Sequence, residues 1–158
     1  MTALFELPPH PQVPVVGSDK SFPVRRIFCV GRNYAAHAAE MGHEVDREAP
    51  FYFTKTPSAT LLTGATIPYP PGTSDYHHEM ELVVAIGADA FRISKEDAMS
   101  VVYGYACGLD MTRRDRQQDG KDKRRPWPLG KDFEQSAVIS PITQAKDFTV
   151  GTQKIEMS

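Results

Sequence analysis

The sequence is poor in several features that would place a protein in a specialised class. Its 158 residues include two cysteines and one tryptophan, and the formal net charge is −2. Such a balance of charge gives no reason to expect nucleic acid or an anionic membrane as a partner. No apolar run approaches the roughly 20 residues of a membrane-spanning helix. Residues 1–14 also lack the basic and then apolar pattern of a signal peptide.

The two cysteines are far apart in the sequence. Cys29 and Cys107 each lie within an apolar stretch, which is typical of buried free thiols in a reducing compartment. We therefore expect a cytoplasmic protein with two buried thiols. The sequence by itself leaves a disulfide between them open.

Prolines and apolar runs divide the chain into an arm and one domain. Residues 1–24 contain five prolines and are predicted to form an extended arm. Residues 25–158 are long enough for one globular core. Strands are predicted at 24–30, 51–54, 79–86 and 101–111, and short helices at 34–41 and 94–100. Because strands dominate and the alternation of strand and helix is weak, we expect an α+β fold with a large mixed or antiparallel sheet.

Two glutamates stand at the entry of the apolar run at 82–86. Glu79 and Glu81 are two positions apart, and residues i and i+2 of a strand point to the same face. Two adjacent carboxylates repel each other unless a proton or a cation lies between them. Mg²⁺ or Mn²⁺ would suit such a pair. The alternative is a solvated strand end with two surface glutamates.

Asp110 ends the last predicted long strand and is a candidate third carboxylate. With Glu79 and Glu81 it would leave coordination positions open for water and substrate, an arrangement that Mg²⁺ favours. Alternatively, Asp110 caps the turn that follows it. His77 falls on the same strand face as the glutamates, and we expect it to be a neighbour rather than a ligand.

His37 and Glu40 are three positions apart on the predicted helix at 34–41. This spacing places them next to each other on one helix face. A carboxylate beside an imidazole raises its basicity, which is how a base that activates water is built. Pairs at this spacing also occur by chance on solvated helices.

The segment 112–125 is densely charged. Seven basic residues lie between positions 113 and 125, and three aspartates interrupt them. We expect a solvated loop rather than a phosphate-binding patch, although one or two of these cations could bind the carboxylate of a small acid. The segment 130–133 has one glycine and no phosphate-loop pattern.

Several motifs together resemble the fumarylacetoacetate hydrolase family, in particular its short bacterial acylpyruvases. The first is IFCVGRNYAAHAAEMG at 27–42. The others lie at 51–55, 78–84, 103–105, 110–115 and 127–131, and all follow in the order of the family. The resemblance extends from about residue 22 to the end of the chain.

The resemblance implies a mixed β-sheet roll with few short helices, a divalent metal and a set of site residues. Three carboxylates fall on the metal-ligand positions for Mg²⁺ or Mn²⁺: Glu79, Glu81 and Asp110. The other matched positions are the water-activating pair His37 and Glu40, the substrate-contacting Lys131, and Gln117 of the same pocket.

The activity implied is hydrolysis of the carbon–carbon bond of a 2,4-diketo acid, fumarylpyruvate or another acylpyruvate, by a homodimer. A decarboxylase or isomerase of a related oxo-acid with the same metal site is an alternative. The sequence also departs from the family: Leu109 replaces a common Asn, and Thr56 separates Lys55 from Pro57. No Gly-Thr-Pro-x-Gly segment is found before Ser158, so we expect a C-terminally truncated domain. A further alternative is therefore an inactive fragment that needs a partner chain.

Overall fold

The computed structural model describes residues 3–6, 8–31, 33–34 and 49–157. The strands are β1 (Gln12–Pro14), β2 (Ser21–Pro23), β3 (Ile27–Gly31), β4 (Phe51–Lys55), β5 (Thr60–Leu62), β6 (Tyr76–His77), β7 (Met80–Ile86), β8 (Val102–Asp110), β9 (Thr112–Arg113), β10 (Ala137–Ile139) and β11 (Thr143–Gln144). The α-helices are α1 (Arg114–Asp122) and α2 (Pro128–Lys131), and short 3₁₀ turns cover Pro57–Ala59, Ala98–Val101 and Ala145–Asp147. Apart from residue 34, the helix predicted at 34–41 lies outside the described residues.

A five-stranded sheet forms the body of the domain, and β8 is its central strand. β8 pairs with β7, β10 and β11 in antiparallel fashion, whereas β10 and β5 run parallel. The sheet is therefore mixed, which confirms the predicted α+β class. The predicted strands at 79–86 and 101–111 correspond to β7 and β8, since β-branched and aromatic residues favour a half-buried pleated surface.

Three two-stranded ladders, β1–β2, β3–β4 and β6–β9, lie outside the main sheet. All three are antiparallel. Asp110 is the last residue of β8, and only Met111 separates it from β9. The β6–β9 ladder pairs His77 with Thr112. It therefore brings the segment before β7 next to the segment after β8, where the candidate carboxylates lie.

The apolar core lies between the β1–β2 ladder and the main sheet. Its buried members are Val13, Val24, Ala85, Ala106, Ile139 and Ile142. Residues 1–24, predicted to form an arm, thus contain a hairpin and contribute to this core. Gly104 allows β11 to approach β8, because a Cβ at this position would overlap the carbonyl oxygen of Thr143.

Three local expectations were wrong. The segment expected to be a solvated loop contains β9 and α1, and it is anchored by buried Gln117 and Gly120. The helix expected at 94–100 is reduced to the 3₁₀ turn at 98–101, although Ser94 Oγ and the carboxylate of Asp97 do form the capping contacts. Of the two thiols expected to be buried, Cys107 is exposed, because it faces outward from β8, and Cys29 is half-buried. Within the described part of the chain, no helix is long and apolar enough to cross a membrane.

Candidate active site

The three candidate carboxylates share one face at one end of the β7–β8 ladder. Glu81 pairs with Gly108, and the backbone N–H of Asp110 donates to the carbonyl oxygen of Glu79 over 2.8 Å. Cross-strand partners in an antiparallel ladder project to the same side, as do residues two apart on one strand. The ladder therefore brings Glu79, Glu81 and Asp110 to the same side of the sheet.

The ammonium group of Lys131 lies between two of these carboxylates. Lys131 is the last residue of α2 and is 2% exposed. Its Nζ donates to Glu79 Oε2 at 2.6 Å, Asp110 Oδ2 at 2.8 Å and Thr112 Oγ1 at 2.7 Å. A lysine ammonium has three N–H donors, so the protein satisfies all of them. Lys131, predicted from the family resemblance, is the centre of this polar network.

A second buried lysine, Lys55, contacts the same aspartate from the opposite side. Its Nζ lies 2.9 Å from Asp110 Oδ1 and donates to the carbonyl oxygens of Met111, at 3.1 Å, and Lys131. Lys55 is 3% exposed, and this burial lowers the pKa of its ammonium group, an effect that Asp110 opposes. Sequence reasoning assigned no role to Lys55. The sequence feature that could have indicated a buried role is that Lys55 lies in an apolar strand, two positions after the inward-facing Phe53.

Helix α1 adds an arginine and a glutamine to the network. Arg114 Nη2 donates to Glu79 Oε1 at 2.5 Å, and Nη1 donates to Gln117 Oε1 at 2.6 Å. Gln117, a predicted pocket residue, is 4% exposed. Its backbone lies against α2 at Gly130, where a Cβ would come within 2.6 Å of the Gln117 nitrogen. Glycine at this position therefore allows α1 and α2 to bring Gln117 and Lys131 close together.

The two glutamates have opposite electrostatic environments. Burial disfavours the ionised form of Glu79, but Lys131 and Arg114 outweigh this effect and lower its pKa to about 2. Burial and the negative charges of Asp110 and Glu79 raise the pKa of Glu81 to about 7, despite a hydrogen bond from Tyr34. Glu81 is thus the carboxylate that the nearby cations neutralise least.

The donor set fits a hard divalent cation in its chemistry. Two carboxylate oxygens, one from Glu79 and one from Asp110, already converge on a positive charge, and Glu81 shares their face. Carboxylate oxygens are the ligands that Mg²⁺ and Mn²⁺ prefer. Among residues 3–6, 8–31, 33–34 and 49–157, however, no three His, Cys, Asp or Glu side chains lie close enough to surround a metal ion. A bound metal would therefore require side-chain adjustment.

The histidines predicted from the sequence are not part of this network in the described structure. His77 Nε2 lies 2.7 Å from Asp75 Oδ1 at the surface, so it neighbours the site through β6. His37 and Glu40, the predicted water-activating pair, lie outside the described residues. Their roles remain predictions.

The described structure thus gathers three carboxylates and a buried lysine at the end of one ladder of a mixed sheet, and this cluster is the candidate site. The family profile of the fumarylacetoacetate (FAA) hydrolase C-terminal domain matches residues 26–158. The chain belongs to this family, as the sequence motifs predicted.

Comparisons with individual proteins agree with this assignment. The chain is 53% identical over 112 residues to a fumarylpyruvate hydrolase of a Ralstonia species, covering 70% of this chain and 58% of the relative. It is 43% identical over 122 residues to the mitochondrial oxaloacetate tautomerase of Caenorhabditis elegans, covering 77% of this chain and 56% of the relative. The crystal structure of Pseudomonas aeruginosa fumarylpyruvate hydrolase with Mn²⁺ and pyruvate superposes with a TM-score of 0.86 at 48% identity, covering 92% of this chain and 64% of the other. The chain thus spans less than two thirds of the length of these relatives.

Proposed function

We propose that this chain forms the site of a divalent-metal-dependent hydrolase that cleaves the carbon–carbon bond of a 2,4-diketo acid. The preferred substrate is fumarylpyruvate or another acylpyruvate, and the products are pyruvate and a carboxylic acid. The observation that supports this most is the convergence of Glu79 Oε2 and Asp110 Oδ2 on the ammonium group of Lys131. The relationship to a fumarylpyruvate hydrolase, and to a structure that contains Mn²⁺ and pyruvate, supports the substrate class.

The residues that would hold Mg²⁺ or Mn²⁺ are Glu79, Glu81 and Asp110. When bound, the metal would supply positive charge for the carboxylate and keto oxygens of the substrate. Arg114 and Lys131 keep Glu79 ionised, since they lower the pKa of its carboxyl group to about 2 against the effect of burial. The protein thereby keeps Glu79 available as an ionised oxygen donor at neutral pH.

The protein's own groups account for the remaining steps. His37, supported by Glu40, would take a proton from water, and the hydroxide would attack the distal carbonyl carbon. The bond between that carbon and the methylene group would then break, and its electron pair would leave as the enolate of pyruvate, which is protonated to pyruvate. Lys131 is placed to stabilise the negative charge that develops. For this, one of its three protein acceptors must be exchanged for a substrate oxygen.

The direct test is the ultraviolet absorbance of fumarylpyruvate mixed with the purified chain and Mn²⁺ or Mg²⁺, with a chelator as control. We expect a metal-dependent loss of absorbance and the formation of pyruvate. Loss that continues unchanged in the chelator would contradict the metal requirement. If the chain is folded and binds Mn²⁺ but the absorbance of fumarylpyruvate does not fall, the proposed substrate is contradicted.

Two substitutions test the proposed ligands. Glu79→Gln and Asp110→Asn each remove a charged oxygen donor and should weaken Mn²⁺ binding by at least tenfold, read from the electron paramagnetic resonance signal of free Mn²⁺. Glu96→Gln removes the same charge from an exposed position and should leave the affinity within twofold. Unchanged affinity in both site variants would refute the ligand assignment.

His37→Ala tests the predicted base. The variant should keep its Mn²⁺ affinity and lose turnover, because the imidazole acts on water rather than on the metal. Near-normal turnover would remove His37 from the mechanism.

An isomerase of a related oxo-acid is the second candidate, since the chain is 43% identical to an oxaloacetate tautomerase. Oxaloacetate resembles the proposed substrate in its 2-keto acid end, which the same carboxylates, metal and lysine would hold. Product analysis separates the possibilities. A product of unchanged mass indicates isomerisation, released CO₂ indicates decarboxylation, and pyruvate with a second acid indicates hydrolysis.

We further propose that the protein acts in the cytoplasm as a homodimer on a small oxo-acid. Light scattering of the purified chain tests the dimer directly. A monomer with full activity would contradict it, and would also contradict the alternative that the chain needs a partner.

A further inference from the structure

Lys55 joins three separate parts of the candidate site. Its ammonium group contacts the side chain of Asp110, the backbone carbonyl of the next residue, Met111, and the backbone carbonyl of Lys131. These groups belong to the end of β8, to the link into β9 and to the end of α2. Lys55 itself ends β4. One side chain thus connects a proposed metal ligand with the backbone that supports the proposed substrate lysine.

The ammonium of Lys55 is enclosed by protein groups. It donates to two backbone carbonyls and forms an ion pair with Asp110 Oδ1, and the residue is 3% exposed. The ring of Phe133 lies on another side, with its centre 5.6 Å from Nζ. Two of the groups around Lys55 Nζ are main-chain carbonyls, which tie it to the backbone, whereas the three acceptors of Lys131 are side chains that can be exchanged for a substrate oxygen.

The two oxygens of the Asp110 carboxylate have different partners. Oδ1 faces Lys55, and Oδ2 faces Lys131 and the side of Glu79. A carboxylate held at one oxygen has a restricted rotation about its Cβ–Cγ bond, so its other oxygen has a defined direction. Groups that orient metal ligands in this way contribute to metal affinity without touching the metal.

We propose that Lys55 is a positioning residue, which holds Asp110 and the Lys131 main chain in place, so that Asp110 Oδ2 is directed to the side of Glu79, where the divalent cation would bind. This proposal rests on the proposed metal site. Positioning and simple charge compensation predict opposite effects of removing Lys55. Loss of positioning weakens cation binding, whereas loss of a nearby positive charge alone would leave a more negative site and strengthen it.

The experiment is a titration of the full chain with Mn²⁺, followed by the electron paramagnetic resonance signal of the free ion. Lys55→Met removes the charge and all three donors but retains the apolar stem. Lys55→Gln is the milder variant, because its amide can still donate a hydrogen bond. We expect the affinity to fall 10- to 100-fold in Lys55→Met and by a smaller factor in Lys55→Gln. Circular dichroism establishes that each variant is folded before titration.

Thr56→Val is the matched control, because it removes one of the two hydrogen bonds that Thr56 donates to Asp132, a neighbouring link between the same two elements. Thr56 Oγ1 donates to Asp132 Oδ2 over 2.7 Å, so this contact also connects the end of β4 to the end of α2. It does not involve Asp110. The Mn²⁺ affinity of Thr56→Val should remain within twofold of the unsubstituted chain.

The possible outcomes separate the hypotheses. Weaker binding in the Lys55 variants with normal binding in Thr56→Val supports positioning. Tighter or unchanged binding in folded Lys55→Met or Lys55→Gln overturns it and leaves the proposed metal site intact. Equal weakening in Thr56→Val also overturns it, because general loosening between β4 and α2 would then explain the effect. No Mn²⁺ binding by the unsubstituted chain would overturn the metal site, and with it the role of Lys55.

Discussion

The active-site end of the sheet and the outer face of β7 show opposite relations between polarity and burial. Five polar or charged side chains of the site end are 0–4% exposed: Lys55, Thr112, Gln117, Lys131 and Ser136. Three large apolar side chains on β7 are 42–52% exposed: Leu82, Val84 and Ile86. The five polar residues lie outside the main sheet and the three apolar residues lie within it, so membership of the sheet does not decide which residues are buried.

Pairing explains the site end. A buried charge is tolerated when a partner of opposite sign and additional hydrogen bonds replace water. Asp110 has an ammonium group at each oxygen, and Glu79 has one ammonium and one guanidinium partner. Removal of one member leaves at least one buried charged atom without that partner, so the site end should be sensitive to single substitutions. The outer face of β7 has little buried area to lose.

The largest effect should come from Lys131→Met. This substitution leaves Glu79 Oε2, Asp110 Oδ2 and Thr112 Oγ1 without their shared donor. We expect the free energy of unfolding to fall by about 3–5 kcal/mol, the usual cost of breaking a buried pair. Urea denaturation in the presence of a chelator measures this loss in the free energy of unfolding.

Lys154→Met is the control for Lys131→Met. Lys154 forms an ion pair with Glu156, but its side chain is 83% exposed, and exposed pairs contribute little. The stability of this variant should change by less than about 1 kcal/mol. Equal effects of the two substitutions would show that burial of the Lys131 pairs has no energetic consequence.

The reactivity of the two cysteines gives a second comparison between the candidate site and the outer face of the sheet. Burial and the charge of Asp110 raise the pKa of Cys29 to about 12, which disfavours its thiolate at pH 8. Cys107 is exposed. Because the thiolate is the nucleophile, iodoacetamide at pH 8 should modify Cys107 first, and mass spectrometry should show Cys107→Ser to be almost unreactive. Rapid modification of Cys29 in that variant would contradict its burial.

Gly130→Ala tests the contact between α1 and α2. The added Cβ would lie 2.6 Å from the Gln117 nitrogen and 2.9 Å from its Cα, so one helix must shift. We expect a loss of about 1–3 kcal/mol in the free energy of unfolding. Gly151→Ala is the control, because a Cβ there has no neighbour within 4 Å. Equal stability of the two variants would mean that the helices separate without cost.

The sequence predicted the fold class and the shared face of the carboxylates because both follow from local rules. The spacing of Glu79 and Glu81 gives one face of a strand, and the position of Asp110 at the end of the next strand gives its neighbour. The mixed sheet followed from the dominance of strands. The family motifs supplied Gln117 and Lys131, which lie in the same network in the structure.

The parts that were missed depend on contacts between distant segments. Lys55 reaches Asp110 and the Lys131 carbonyl across 55 and 76 positions of the sequence, and no pattern within β4 specifies those acceptors. Helix α1 was expected to be a loop because its residues are mostly charged. Its buried contacts come from Gln117 and Gly120, which a pattern of apolar residues does not reveal.

The smallest effect should come from the outer face of β7, and neighbouring valines allow a matched test. Val84 is 45% exposed, so Val84→Thr should change the free energy of unfolding by no more than about 0.5 kcal/mol. Val83 points to the opposite face and packs against the apolar core. Val83→Thr adds a hydroxyl group there and should cost about 1–3 kcal/mol. Urea denaturation of both variants measures the difference. A larger loss for Val84→Thr than for Val83→Thr would show that the outer face, despite its exposure in this chain, contributes more to stability than the face that meets the core.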